Sequence, residues 1–213
     1  MTPELEEYIL NHIDTEPPHL KKLARDVNVY LLYPRMCSGH LQGRILNMLT
    51  TMIAPRRVLE LGTYAAYSAL SIAGALGDGA EFHTIEVDDE MEDFIKERLD
   101  GAPGGEKVYL HIGDALQLIP ELSKAGPWDL VFIDANKRHY VQYYETVMKY
   151  MRPGGYIFAD NTLWDGKVTD PELNHDPQTR GIVDFNDLVA NDSRVERVIL
   201  PLRDGLTIIR VKP

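Results

Sequence analysis

With 213 residues, 44% of them hydrophobic and 26% charged, the chain can build a folded core and is not of disordered or fibrous composition. A net charge of -11 argues against general nucleic-acid binding, because the phosphate backbone would repel it. A single cysteine, Cys37, rules out an internal disulfide and a cysteine-built zinc site, which fits a reducing, cytoplasmic setting. The opening MTPELEEYIL lacks the apolar stretch of a secretory signal, and no apolar run is long enough for a membrane span.

In chain order, residues 1–52 read as helical. Leu5, Tyr8, Ile9 and His12 recur at helical spacing, Leu20, Leu23, Val27 and Leu31 form a second stripe after Pro17-Pro18, and a third helix is expected over Leu41–Met52. From Arg57 the pattern changes to short apolar runs: RVLELG (57–62), EFHTIEV (81–87), VYLHIGD (108–114), DLVFIDA (129–135) and YIFADN (156–161). Helical candidates Tyr67–Leu76, Asp89–Leu99 and Tyr140–Tyr150 lie between them. Strands apolar almost throughout, alternating with helices, predict a mostly parallel sheet covered on both faces. VERVILPL (195–202) and LTIIRV (206–211) flank Asp204-Gly205, which predicts a closing antiparallel hairpin. The expectation is an α/β, Rossmann-like domain of seven strands over 1–213, with a helical segment at 1–52 and the α/β core at 57–213.

Ligands of such sheets bind beyond the carboxyl ends of the strands. Glu60, Gly62 and Thr63 close the first strand here and Glu86 the second. Gly62 allows a tight turn, but Tyr64 and Tyr67 stand where a dinucleotide fold needs glycines to cradle a diphosphate. Glu86 could hold the ribose of NAD or of S-adenosylmethionine equally well. Glu60 would repel a diphosphate yet tolerate a sulfonium and an ammonium, which tips the choice toward S-adenosylmethionine. Either acid could also be a solvated strand end.

Asp134 ends the fourth strand, and Asp160 with Asn161 ends the fifth. Two carboxylates and an amide oxygen are hard donors suited to Mg2+, Mn2+ or Ca2+, although Asp-Asn is equally a turn dipeptide. Lys137 lies within reach of that site. Beside a divalent cation an ammonium is disfavoured, which fits a general base, while an isolated lysine is ordinarily just solvated.

Together these stretches resemble the cation-dependent O-methyltransferases, the family of the caffeoyl-CoA and catechol enzymes. The resemblance is carried by RVLELGTYAAYSAL (57–70), IEVDDE (85–90), GDAL (113–116), WDLVFIDANKRHYVQYY (128–144), RPGGYIFADNTLWDGKV (152–168) and PLRDGLTIIR (201–210). It implies the class I methyltransferase fold, with Asp134, Asp160 and Asn161 as metal ligands and Lys137 as the catalytic lysine. It implies cofactor contacts from Ser38, Glu60, Gly62, Thr63, Ser68, Glu86, Asp114, Ala115 and Asp134, and a catalytic role with substrate contact for Asp134. A phenolic acceptor with adjacent oxygens and a homodimer are likewise implied.

Two departures stand out: Ala66 where the family usually has glycine, and Asn136 where the plant enzymes have an acid. Residues 169–180 correspond to a variable substrate lid, with His175 and Trp164 as possible acceptor contacts. Lys21, Lys22 and Arg25 could meet the phosphates of a CoA thioester or be a solvated helix face. The rival readings are an NAD-dependent oxidoreductase and a non-catalytic protein that binds S-adenosylmethionine.

Overall fold

The computed structural model describes residues 2–170, 172 and 175–213. Helix α1 (Pro3–Leu10) starts where the Thr2 hydroxyl accepts the Leu5 N–H, with Glu4 and Glu6 favourably placed in its first turn. Its apolar stripe forms a helix as predicted but buries nothing: Leu5 is 50% and Tyr8 61% exposed. Helix α2 (Pro18–Tyr30) buries Leu20, Leu23 and Val27. The exposed positions Lys21, Lys22 and Arg25 lie on its outer side. Helix α3 (Gly39–Ile53) ends at Ala54 in the left-handed region, just before Pro55.

The core alternates strand and helix: β1 (Arg57–Leu61), α4 (Tyr67–Ala73), β2 (Glu81–Glu86), α5 (Glu92–Leu99), β3 (Val108–Ile112), α6 (Ala115–Leu122), β4 (Trp128–Ile133), α7 (Tyr140–Met148) and β5 (Met151–Asp160). After α8 (Pro177–Asn191) come β6 (Val195–Leu200) and β7 (Leu206–Val211). The seven strands form one sheet in the order β3-β2-β1-β4-β5-β7-β6, and β7 runs antiparallel to both its neighbours. Pleat alternation divides the core into two layers. Val58, Phe82, Phe132 and Phe158 pack with α2, α3, α4 and α5, while Leu59, Leu61, Ile133 and Ala159 pack with α6, α7 and α8.

The strands therefore match expectation, and two differences concern elements the pattern hid. Strand β5 begins at Met151, before the predicted 156, through a register irregularity opposite Trp128 and Leu130. Helix α8 begins inside the stretch 169–180 expected to be a lid. Asp176 caps it by accepting the N–H and hydroxyl of Thr179, and Pro177 opens its first turn. Pro171, Leu173 and Asn174 of that lid reading lie outside the described residues. Among the described residues no helix is long and apolar enough to cross a membrane.

Candidate active site

Register and pleat assemble the site. Phe132 pairs with Phe158 across β4 and β5, so Asp134 and Asp160, two positions on, emerge side by side from the same face. Glu60 pairs with Phe132 and Thr84 and shares that face. Gly62 follows at φ +95°. A Cβ there would sit 2.8 Å from the Asp134 carbonyl carbon and closer still to its oxygen. What needs the glycine is thus the approach of one strand end to the next, which the sequence had suggested only for a ligand. Gly62→Ala is expected to lower stability by about 1–3 kcal/mol through overpacking, read as a fall in Tm. An unchanged Tm would disprove the close contact.

Glu60 is fully buried. Ser68 from α4 donates to Oε1 (2.6 Å) and Thr84 to Oε2 (2.5 Å), and the Thr63 hydroxyl lies 2.5 Å from that of Thr84. Burial pushes the Glu60 carboxyl up to about 8 against those hydroxyls, helped by the charges of Asp134 and Glu86. An acid pushed toward its protonated form repels a diphosphate less than a bare carboxylate would, which weakens that argument for S-adenosylmethionine. The missing glycines remain as an argument. Tyr67 is buried in α4, with its hydroxyl on Glu16 at 2.5 Å.

Glu86 turns back over the loop after β1. It accepts the N–H of Tyr64 at 2.7 Å, of Val87 at 2.9 Å and of Asp88 at 3.0 Å. A carboxylate has about four acceptor positions, so it retains room for a ribose hydroxyl. Asp114 is exposed and caps α6 through the Leu116 N–H, with buried Ala115 behind it. Ser38 is buried just before α3, where its hydroxyl caps no backbone N–H. Ala66 lies in the left-handed region at φ 65°, where glycine would avoid a strain of roughly 1–2 kcal/mol.

At the acid pair, Lys137 Nζ donates to Asp134 Oδ1 at 2.6 Å, the two side chains being 11% and 20% exposed. Gln42 Nε2 donates to Asp160 Oδ2 at 2.7 Å. Burial raises the Asp160 carboxyl to about 6, with Asp134 adding repulsion, against the pull of Gln42, the Asn161 N–H and Lys137. One ammonium thus faces two carboxylates. Asn161, in the left-handed region at φ 58°, adds an amide at the same strand end. This donor set fits a divalent cation: hard oxygens, and negative charge the protein leaves partly uncompensated. Among the described residues no group of three His, Cys, Asp or Glu forms a metal cluster, so the amide would have to serve as third ligand.

Sequence reasoning missed three supports of this site. Tyr140, fully buried in α7, donates to the carbonyls of Ile133 (3.2 Å) and Asp160 (3.0 Å), tying the ends of β4 and β5 together. Gly181 in α8 lets that helix rest on the Lys137 turn, since a Cβ would stand 2.9 Å from the Arg138 Cα. The 203–205 turn holds the loop after Asn161: Thr162 N–H donates to Gly205 O at 3.1 Å and Leu163 N–H to Asp204 O at 2.7 Å. Only the Asp-Gly turn signal hinted at the last. Trp164 packs in the α6–α8 layer, and its buried indole N–H has no partner. His175 is exposed.

Residues 11–212 match the O-methyltransferase family. The chain is 32% identical to caffeoyl-CoA O-methyltransferase 2 of Zea mays, covering 97% of this chain and 82% of the maize protein. It is 34% identical to catechol O-methyltransferase of Niastella koreensis, covering 80% of each. Among solved structures, the O-methyltransferase TomG from Streptomyces achromogenes, involved in tomaymycin synthesis and solved with SAM, superposes with a TM-score of 0.91. It is 29% identical, and both chains are covered completely. An O-methyltransferase from Bacillus cereus in complex with SAH gives a TM-score of 0.90 at 27% identity, covering 98% of this chain and 97% of that one. With strand-end acids on a seven-stranded sheet and a family match over nearly its whole length, the chain belongs to the O-methyltransferase family and is an enzyme of that class.

Proposed function

We propose that this enzyme moves the methyl group of S-adenosylmethionine to a phenolic hydroxyl of an acceptor bearing two adjacent oxygens. Asp134, Asp160 and Asn161 would hold a divalent cation, and Lys137 would be the general base. The observation that carries this reading is the pair Asp134 and Asp160 on one face of adjacent strand ends, with Lys137 Nζ 2.6 Å from Asp134. Solved relatives bound to SAM and SAH support the donor, and the names of the maize and Niastella relatives support an acceptor of catechol type.

A cation at that site would supply charge that acidifies an acceptor hydroxyl. Lys137 Nζ, as the free amine, would take the proton and become the ammonium. The freed oxygen pair then forms a bond to the methyl carbon as the carbon–sulfur bond breaks, its electrons returning to sulfur. Glu86 and Asp114 would hold the nucleoside, Ser38, Gly62, Thr63, Ser68 and Ala115 would wall the cofactor, and Glu60 would lie beneath its positive charge. Alignment of the two reactants is the main source of rate, an advantage that can reach roughly 7–11 kcal/mol.

Treatment with EDTA is expected to lower methyl transfer to a catechol at least about tenfold, with recovery on adding Mg2+. Full activity without metal would sink the cation role. A rival NAD-dependent oxidoreductase is disfavoured by Tyr64 and Tyr67 in place of cradle glycines. A non-catalytic binding protein would have no use for the Lys137–Asp134 pair. We read the chain as one domain, acting in the cytoplasm as a homodimer. The exposed Leu5 and Tyr8 of α1 support pairing of copies, and sedimentation equilibrium reads the copy number directly.

A further inference from the structure

The amide of Gln42 is 1% exposed and bridges two charged groups far apart in the chain. Its Nε2 donates to Asp160 Oδ2 at 2.7 Å, and its Oε1 accepts from Arg203 at 2.9 Å. Arg203, in the turn between β6 and β7, also donates to the carbonyls of Cys37 and Ser38, just ahead of α3. A guanidinium only donates. It therefore fixes which end of the amide faces it, and the N–H end must face Asp160. The carboxylate oxygen Oδ2 is engaged by a neutral donor held from both α3 and the hairpin, which occupies one of its lone pairs and biases a cation toward Oδ1.

We infer that Gln42, oriented by Arg203, restricts Asp160 to binding through one oxygen and so sets the site's preference for a small cation over a large one. The inference rests on the cation reading of Asp134, Asp160 and Asn161. Mg2+ is bound at about 2.0–2.1 Å in a strict octahedron, commonly with one oxygen from each carboxylate. Ca2+ at roughly 2.3–2.6 Å collects six to eight oxygens and readily takes both from one carboxylate. An Asp160 whose Oδ2 already accepts the Gln42 N–H suits the first ion and is a poorer two-oxygen ligand for the second. Gln42 is thus a positioning residue, acting on the cation through Asp160.

The test titrates the full-length, cofactor-free protein with MgCl2 and with CaCl2 by calorimetry, and compares the ratio of the two affinities. Gln42→Leu removes the donor at similar volume, and is expected to shift the ratio toward Ca2+ by about tenfold or more. Arg203→Met, which frees the amide to turn over, is expected to shift it in the same direction by less. A Gln42 with a merely structural role would weaken both ions together and leave the ratio unmoved. That result, in a variant with an intact circular dichroism spectrum, overturns the inference. Should Gln42→Leu not fold, Gln42→Met, of nearly the same length, gives the same reading. Wild-type protein that binds neither ion would refute the underlying cation reading, a distinct outcome.

Discussion

Lys137→Met is expected to lower kcat by roughly 10²–10⁴-fold, the usual worth of a positioned proton acceptor. Affinity for S-adenosylmethionine should stay within about twofold, because the proposed base serves the acceptor hydroxyl and is assigned no contact with the cofactor. The side chain plays two parts that the substitution confounds. Its ammonium pairs with Asp134 and relieves the repulsion between two neighbouring acids, and its free amine is the proposed base. Lys137→Arg separates them. Arginine keeps the positive charge beside Asp134 but stays protonated at any accessible pH. If Lys137 acts as a base, both variants lose kcat to a similar extent. If it serves only as a counter-charge, the arginine variant retains turnover, and the base assignment is wrong. Single-turnover measurement at saturating cofactor is the appropriate readout, since it excludes product release.

Much of this was legible in the sequence because parallel strands buried on both faces are written as apolar runs, and their polar ends stand out. Asp134, Asp160 and Lys137 were visible in that way. That Asp134 lies beside Asp160 depends on the order β1-β4-β5 and on Phe132 pairing with Phe158, which periodicity does not encode. Gln42 and Arg203 were not legible at all. Their contacts with Asp160 and with each other span 118 and 161 residues, and a glutamine on a helix reads as surface. Helix α8 was missed because its capping signal, Asp176-Pro177, sits inside a stretch rich in loop residues. Glu60 was seen as a strand-end acid, but its burial was not read. Its parity with Val58 turns it under α4, away from solvent, and that parity was available in RVLELG.

Glu60 also yields the largest expected effect on stability. In the unfolded chain its carboxyl titrates near the ordinary 4.5, whereas in the folded protein burial raises it to about 8. Between those values the folded state holds a proton that the unfolded state has lost, so this group lowers stability as pH rises through the window. Below it, both states are protonated and the group is neutral in effect. Glu60→Gln carries no titrating proton and can keep contact with the hydroxyls of Ser68 and Thr84. Relative to the wild type, the cofactor-free variant should gain on the order of 2–4 kcal/mol at pH 8 and less than about 1 kcal/mol at pH 5. Urea denaturation at the two pH values measures the difference, and parallel pH profiles would show that Glu60 ionises freely in the fold. The same substitution should weaken S-adenosylmethionine, since a cationic ligand above Glu60 draws its proton off and gains a negative partner. Wild-type binding near neutral pH is then accompanied by proton release, visible as a dependence of the calorimetric heat on buffer ionisation enthalpy, and Glu60→Gln abolishes it. With both outcomes, a buried acid that destabilises the empty enzyme would complete the filled one, a local conflict of the kind found at functional sites.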